Sequence, residues 1–427
     1  MNSIDVQFNH EPIGLLSIEG KEEIYSLKYN EKWKQAGFAL SPHLSLSQTL
    51  SSGVIKRFLE NLLPEGKGLD DLTAFTHISK NNIFGLIQAL RFETSGALSF
   101  GTQEENQSAK FREISDKELG RRIDEIEERS ITVWDKKPRL SLAGVQEKLP
   151  VLIRDNVIGL ADGTLSSTHI LKFQTRRHEH IVVNEYFCMR LAVACKLNVS
   201  SVSLKRFGSH PVLIVERFDR VVKQSFVERR HVIDGCQMLD LPPSYKYERN
   251  FGSGRDVREV REGASFAKLF ESTTLCQIPA TAKLQILDWA MFNLIIGNSD
   301  AHGKNISYFV NKAGISIAPY YDLLSIVMHE GVEHDLAMAY GDEFNIDEVK
   351  GYALRSFCEE TGLKPQLVSM RLKMLCTEVK RNLELGVITP SELMTPELEF
   401  IEKTKKLIMQ RTTMLLAYSK EMLKVSF

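Results

Sequence analysis

The chain has 427 residues, with 54 Lys and Arg against 55 Asp and Glu, a formal net charge of −1. That balance argues against a protein that grips nucleic acid by bulk charge, because phosphate binding needs clustered excess cations, and against a highly charged disordered chain. A hydrophobic share of 43% is ordinary for a globular protein, and the length suggests about two to four domains or subdomains.

The cysteines Cys188, Cys195, Cys236, Cys276, Cys358 and Cys376 form no Cys-x-x-Cys pair and no zinc-spaced cluster with histidine. Free buried thiols in a reducing compartment are expected. The polar first ten residues, which include Asp5, are unlike a signal peptide, and no apolar run approaches the ~20 residues that cross a bilayer. The expectation is a soluble cytoplasmic protein with no membrane contact.

Residues 1–100 read as short strands broken by turns. Residues 23–29 alternate in the strand manner, and 40–50 alternate apolar and polar after Pro42. Val54, Ile55, Phe58, Leu59, Leu62 and Leu63 recur at helical spacing until Pro64-Glu65-Gly66 stops them. The polar stretch 101–110 reads as a linker, and 116–129 as a charged helix with Leu119, Ile123 and Ile126 on one face. Strands are expected at 149–153, 170–173 and 212–218. A long helix over 181–197 interrupts them, with Tyr186, Met189, Arg190, Val193 and Leu197 near one stripe. Helices then dominate, at 266–271, 280–296, 356–362, 364–385 and 396–423. The exception is a hairpin over 306–319, ISYFV, then NKAG, then ISIAP. A β lobe followed by a helical lobe predicts a cleft suited to a nucleotide.

The segment IGNSDAHGKN at 296–305 carries the most chemistry. Its Asp300-x-x-x-x-Asn305 spacing is followed by the hairpin and then Tyr320-Tyr321-Asp322. Phosphoryl transfer needs a carboxylate to orient and deprotonate the attacking hydroxyl, and oxygen ligands to hold Mg²⁺ against the phosphates. Protein kinases arrange an Asp, an Asn and an exit Asp in that order around a hairpin. Read singly, Asp300 could simply cap a turn. Lys172 sits on the apolar strand 170–173, and Glu185 in the first turns of the following helix; a kinase uses such a lysine for phosphates and such a carboxylate to position it. The alternatives are an edge-strand solubilising lysine and a favourable first-turn acid on a solvated face. Ser141-Leu-Ala-Gly-Val-Gln-Glu-Lys148 lies ahead of this lobe; with its one glycine, Gly144, it is a weak phosphate loop by itself. The segment 231–237 is either an adenine-pairing hinge or a plain linker. The basic stretch QTRRHEH at 174–180 is a candidate substrate contact or a solvated turn. Lys304 and His302 are candidate cations for the moving phosphoryl group, Lys304 the better one because it stays charged at neutral pH.

Seven ordered stretches resemble the HipA-like serine/threonine kinases, bacterial toxins of type II toxin–antitoxin systems: SLAGVQEK (141–148), THILKF (168–173), NEY (184–186), VERFDR (215–220), CQMLDLPPSYKYE (236–248), GNSDAHGKNIS (297–307) and APYYDLLS (318–325). Residues 33–42 and 58–66 resemble the family's N-terminal subdomain. The resemblance implies an α+β, protein-kinase-like two-lobed fold of the HipA type with an added β-rich N-terminal subdomain (1–105), an N-lobe (106–240) and a helical C-lobe (241–427). It implies ATP and Mg²⁺ as cofactors. Asp300 would match the catalytic aspartate, assisted by Lys304; Asn305 and Asp322 the Mg²⁺ ligands; and Lys172 the ATP-phosphate lysine, positioned by Glu185. Ala143, Gly144, Val145, Gln146, Glu147 and Lys148 would match the phosphate loop, and Ile233, Asp234 and Gly235 the hinge; His302 and Tyr321 join the nucleotide contacts. Members commonly have Glu-Asp where this chain has Ile233-Asp234. Ser141 would match the serine that members autophosphorylate to silence themselves. A phosphate there adds about −1.5 to −2 charge, to be paired outside the cleft by Lys148 and Arg139 or to compete with ATP for cations. The implied partners are a helix-turn-helix antitoxin of the HipB kind, DNA indirectly through it, and a protein substrate in the class of aminoacyl-tRNA synthetases. A co-repressor with little kinase activity, or a small-molecule or lipid kinase, remains as an alternative.

Overall fold

The computed structural model describes residues 2–20, 23–91, 94–101, 109–135, 137–139, 146–223, 226–332, 334–386 and 393–426. The chain forms two compact units. One comprises Met1–Arg177, Ser203–Pro243 and Tyr308–Ile315; the other comprises His178–Val202, Ser244–Ser307 and Ser316–Phe427.

The first unit holds a sheet in the order Ile24–Tyr29, Glu11–Glu19, Asn2–Phe8, Leu98–Phe100. Ile4 and Val6 are buried at period two, and Ile13 and Leu16 of the neighbouring strand are buried as well. The alternating text at 40–50 is not a strand: it forms bends and turns, and Tyr29 donates its hydroxyl to the Leu44 carbonyl at 3.0 Å. Alternation over a Ser- and Pro-rich stretch gave the wrong reading because its polar partners bond locally. Short helices that periodicity did not reveal, Glu31–Ala36, Lys67–Thr76 and Ile83–Leu90, join the expected Ser52–Glu60.

A larger sheet, six strands among the described residues, runs Val202–Phe207, His210–Glu216, His169–Lys172, Lys148–Arg154, Val157–Asp162, Lys110–Glu113. The helix Asp116–Asp124, capped by the Ser115 side chain, covers it. Leu119 and Ile123 pack with Leu149, Val151, Leu160, Leu171, Phe173 and Val212. The two sheets are tied by a buried polar knot. Asp219 accepts from Arg217 at 3.0 and 2.9 Å, from Arg220 at 2.6 Å and from the Gly96 N–H at 2.9 Å. Arg229 donates to the carbonyls of Thr94, Gly96 and Leu98 at 2.8–2.9 Å.

The second unit is mostly helical. Ile181–Ala194 is buried on most sides rather than along one stripe: Val182, Val183, Phe187, Cys188, Leu191 and Ala192 join Met189 inside, whereas Val193 is exposed. Pro279–Ile296 is enclosed from Ile286 onward. Against it pack Phe266–Ser272, Pro365–Leu385 and Thr395–Glu421, with Gly351–Thr361 on Phe266–Ser272 and Thr395–Glu421, and the rings of Phe266, Tyr340 and Phe357 meet at 4.9–5.4 Å. All six cysteines are buried thiols, and burial pushes those of Cys188, Cys195, Cys276, Cys358 and Cys376 up. Among the described residues, no helix is long and apolar enough to cross a membrane.

Candidate active site

In the first unit, the strand His169–Lys172 lies between His210–Glu216 and Lys148–Arg154. Lys172 is therefore on an inner strand and 8% exposed, which removes the edge-lysine alternative. Its register partner is Lys148. Two lysines at one register position put both side chains on the same face of the sheet, a pair that a polyphosphate suits. The chain leading into Lys148 is anchored: Gln146 donates to the Phe173 carbonyl at 3.3 Å, the Phe173 N–H donates to the Glu147 carbonyl at 3.0 Å, and Glu147 pairs with Lys67 at 2.5 Å. Ser141, Ala143, Gly144 and Val145 lie outside the described residues. Arg139 is engaged by Asp162 at 2.8 and 3.0 Å and by the Ala161 carbonyl, so its guanidinium already has a partner.

The hinge candidate is the strand Val232–Asp234 leading into the short helix Gly235–Met238. Asp234 caps that helix: it accepts the Gln237 N–H at 2.8 Å, and its own N–H is taken by the Gln237 side chain at 3.1 Å. Ile233 is buried. The helix is tied to the N-terminal segment, because Gln237 donates to the Phe58 carbonyl at 3.1 Å and Asn61 to that of Leu241 at 2.8 Å.

In the second unit, the loop 298–305 is built from the end of the helix Pro279–Ile296. Gly297 terminates it in the left-handed region, at φ 75°, donating to the Asn293 carbonyl. The Asn298 side chain donates to the Asn293 side chain at 2.7 Å and to the Asp322 carbonyl at 3.3 Å. The loop and Asp322 are thus fixed to the same helix end. The Asp300 N–H donates to Asn298 Oδ1 at 3.3 Å, and the Asp300 carbonyl accepts from Asn305 Nδ2 at 2.9 Å. That orientation leaves Asn305 Oδ1, the atom able to ligate a cation, for the site. His302 Nδ1 accepts the Lys304 N–H at 3.2 Å, and Tyr321 donates to the Lys304 carbonyl at 2.6 Å. Asp322 is at φ 56°, a region that Asp tolerates better than most residues but still at a cost. Glu185 is 1% exposed, so it is no solvated acid.

Tyr247 escaped the residue-level reading. Its hydroxyl donates to Asp300 Oδ1 at 2.8 Å across 53 positions of sequence, and its ring meets His302 edge-on at 5.2 Å. The CQMLDLPPSYKYE stretch flagged the region, but no spacing rule links it to Asp300. Asn298 was likewise visible only as motif text.

The donor set suits Mg²⁺ held with phosphates, which uses one or two protein oxygens and retains waters. Among the described residues, no group of three or more His, Cys, Asp or Glu forms a metal site by itself.

These elements define an α+β, protein-kinase-like fold in which the carboxylate-bearing loop is followed in sequence by the paired strands Ser307–Asn311 and Gly314–Ile317. The HipA-like C-terminal domain family matches residues 140–383, and the HipA N-terminal domain family 4–101. A Shewanella oneidensis protein named serine/threonine-protein kinase toxin HipA is 40% identical over 412 residues, covering 96% of this chain and 95% of its own. A Sinorhizobium fredii relative is 32% identical over 360 residues, 81% of this chain and 83% of its own. A solved complex of Shewanella oneidensis HipA, HipB and operator DNA gives a TM-score of 0.91 at 39% identity over 99% of this chain and 100% of that one. The chain belongs to the HipA family.

Proposed function

We propose that this chain is an ATP-dependent protein serine/threonine kinase that acts as a growth-inhibiting toxin in the cytoplasm. The observation that carries the reading is the Asp300 loop: a carboxylate with one oxygen held, beside an asparagine whose amide leaves its oxygen for a cation. The family membership supports it. Mg-ATP, when bound, supplies the γ-phosphoryl group and the charge that screens it. Lys172 and Lys148 hold phosphate oxygens, with Gln146 and Glu147 setting the loop's base and Ala143, Gly144 and Val145 its turn. Glu185 positions Lys172. Asn305 and Asp322 hold the metal, and Ile233–Gly235, His302 and Tyr321 border the nucleotide. Asp300 orients the substrate Ser or Thr hydroxyl and takes its proton as that oxygen bonds to phosphorus and ADP leaves. Lys304 offsets the charge that develops.

The same reading gives residues 1–105, 106–240 and 241–427 the parts of N-terminal subdomain, N-lobe and C-lobe. It makes Ser141 a self-limiting phosphorylation site, whose phosphate would be paired by Lys148 and Arg139 or would compete with ATP for cations. The relative solved with HipB and operator DNA supports a helix-turn-helix antitoxin as partner, with DNA reached through it. That also favours a second role as co-repressor, which fits a net charge of −1. The protein substrate we expect, from the family resemblance alone, is an aminoacyl-tRNA synthetase. Phosphopeptide mass spectrometry of cells expressing wild type and Asp300→Asn tests the whole reading. Wild type is expected to add phosphate to Ser141 and to a cellular protein, and the variant to add none; phosphate added equally by both would refute Asp300 as the base.

A further inference from the structure

Asp300 has two carboxylate oxygens in different circumstances. Oδ1 accepts the Tyr247 hydroxyl at 2.8 Å. Among the described residues, no hydrogen bond reaches Oδ2. A carboxylate on a loop can rotate about its Cβ–Cγ bond, and its reactive oxygen then wanders unless one oxygen is held.

The holder is itself fixed. The Lys246 carbonyl accepts the Gly303 N–H at 2.9 Å, and the Glu248 N–H donates to the Ala337 carbonyl at 2.9 Å. Glu248 also accepts the Ala339 N–H at 2.8 Å and Arg261 Nε at 2.7 Å. The Ala337 N–H returns to the Ser299 carbonyl at 2.8 Å, one residue before Asp300. Gly263 presses on the same segment so closely that a Cβ there would stand 1.8 Å from the Tyr247 carbonyl. Tyr247 therefore rises from a backbone bonded to both flanks of Asp300 and barred from sliding. The tyrosine is 37% exposed, so burial alone does not account for its placement.

We propose that Tyr247 is a positioning residue of the transfer reaction: its hydroxyl anchors Asp300 Oδ1, so that Oδ2 faces the incoming substrate hydroxyl. The proposal rests on Asp300 being the base. No proton or bond is exchanged with Tyr247; it remains a neutral donor throughout.

The test is steady-state transfer of labelled phosphate from Mg-ATP to a serine/threonine peptide library, with the full-length protein. Tyr247→Phe keeps the ring against His302 and loses only the hydroxyl. It is expected to lower kcat about tenfold, as loss of one hydrogen bond to a charged group does, with KM for ATP and the melting temperature unchanged. A residue of merely structural importance would lower stability without that split. Tyr245→Phe, which removes a hydroxyl two residues away bonded to Glu262 at 3.5 Å, is the control and should keep wild-type kcat. Wild-type or higher turnover in Tyr247→Phe, or an equal loss in Tyr245→Phe, overturns the proposal while Asp300→Asn is inactive. An active Asp300→Asn instead overturns the assignment of the base.

Discussion

Single residues carry the ionic side of the site. Lys172 and Lys148 share a register position on one sheet face, so the anion they suit should stabilise the fold by mass action. Mg-ATP is expected to raise the melting temperature of wild type and to leave that of Lys172→Met unmoved, read by calorimetry with and without nucleotide. Asp322 allows a finer dissection, because its φ of 56° is strained for any side chain and natural for glycine. In denaturant unfolding, Asp322→Ala should be less stable than Asp322→Gly by about 1 kcal/mol or more. Both should lose the Mg-ATP response, since neither carries the carboxylate. Spacing singled out Asp300, Asn305 and Asp322 as candidates, because phosphoryl transfer demands those groups in that order. Tyr247 was not, because a hydrogen bond across 53 positions leaves no local pattern.

At the level of elements, the end of one helix decides where the loop 298–305 and Asp322 stand. Pro279–Ile296 stops at Gly297, where a Cβ would lie 2.6 Å from Val327 Cγ2 at a φ of 75°. Arg411, from Thr395–Glu421, donates to the Leu294 carbonyl at 3.2 and 3.0 Å and to Asp347 at 3.0 Å. A cation on the last carbonyls satisfies groups the helix cannot. Arg411→Leu is expected to cost about 2–4 kcal/mol, through lost hydrogen bonds and orphaned buried carbonyls. Urea unfolding checks it, and a change below half a kilocalorie would show that this end holds without the arginine. Pro279–Ile296 and Pro365–Leu385, each opened by Pro and closed by a Gly just past its end, were legible to within a residue. Ile181–Ala194 was found but its buried face was not, because a helix enclosed on most sides has no stripe to read.

Across the molecule, the first unit joins segments far apart in sequence through buried charge. Burial pushes the Asp219 carboxyl up, but Arg217 and Arg220 outweigh that and hold it well below the usual range. Its contribution is complete above the unfolded value near 3.8 and fades only well beneath it. His231 behaves differently: burial drives it from 6.5 to about 4, with Nε2 donating to the Leu40 carbonyl at 2.8 Å. The fold favours its neutral form, so stability is full above pH 6.5 and is lost as pH falls toward 4, by roughly 3 kcal/mol at 1.36 kcal/mol per pKa unit. His329 in the second unit, also near 4, adds to the same window. Stability measured between pH 7 and 4.5 should therefore fall more steeply in wild type than in His231→Gln; parallel curves would remove His231 from the account. Asp219→Asn should be destabilised by about 3–5 kcal/mol at pH 7, because two arginines stay buried without their counter-charge.

By itself, the sequence determined the order of the elements, the reaction class that the loop and hairpin suit, and the family to which the chain belongs. Those follow from local spacing, caps and motif text, which short-range sterics and hydrogen bonding make legible. Tertiary structure alone decided that Lys148 faces Lys172 and that Tyr247 grips Asp300. It also decided that Arg229 and Asp219 tie the N-terminal sheet to the strands near residue 220. Each is a contact between positions distant in sequence, chosen by how buried charges and donors find partners once the chain is packed, and no periodicity along the chain encodes that choice.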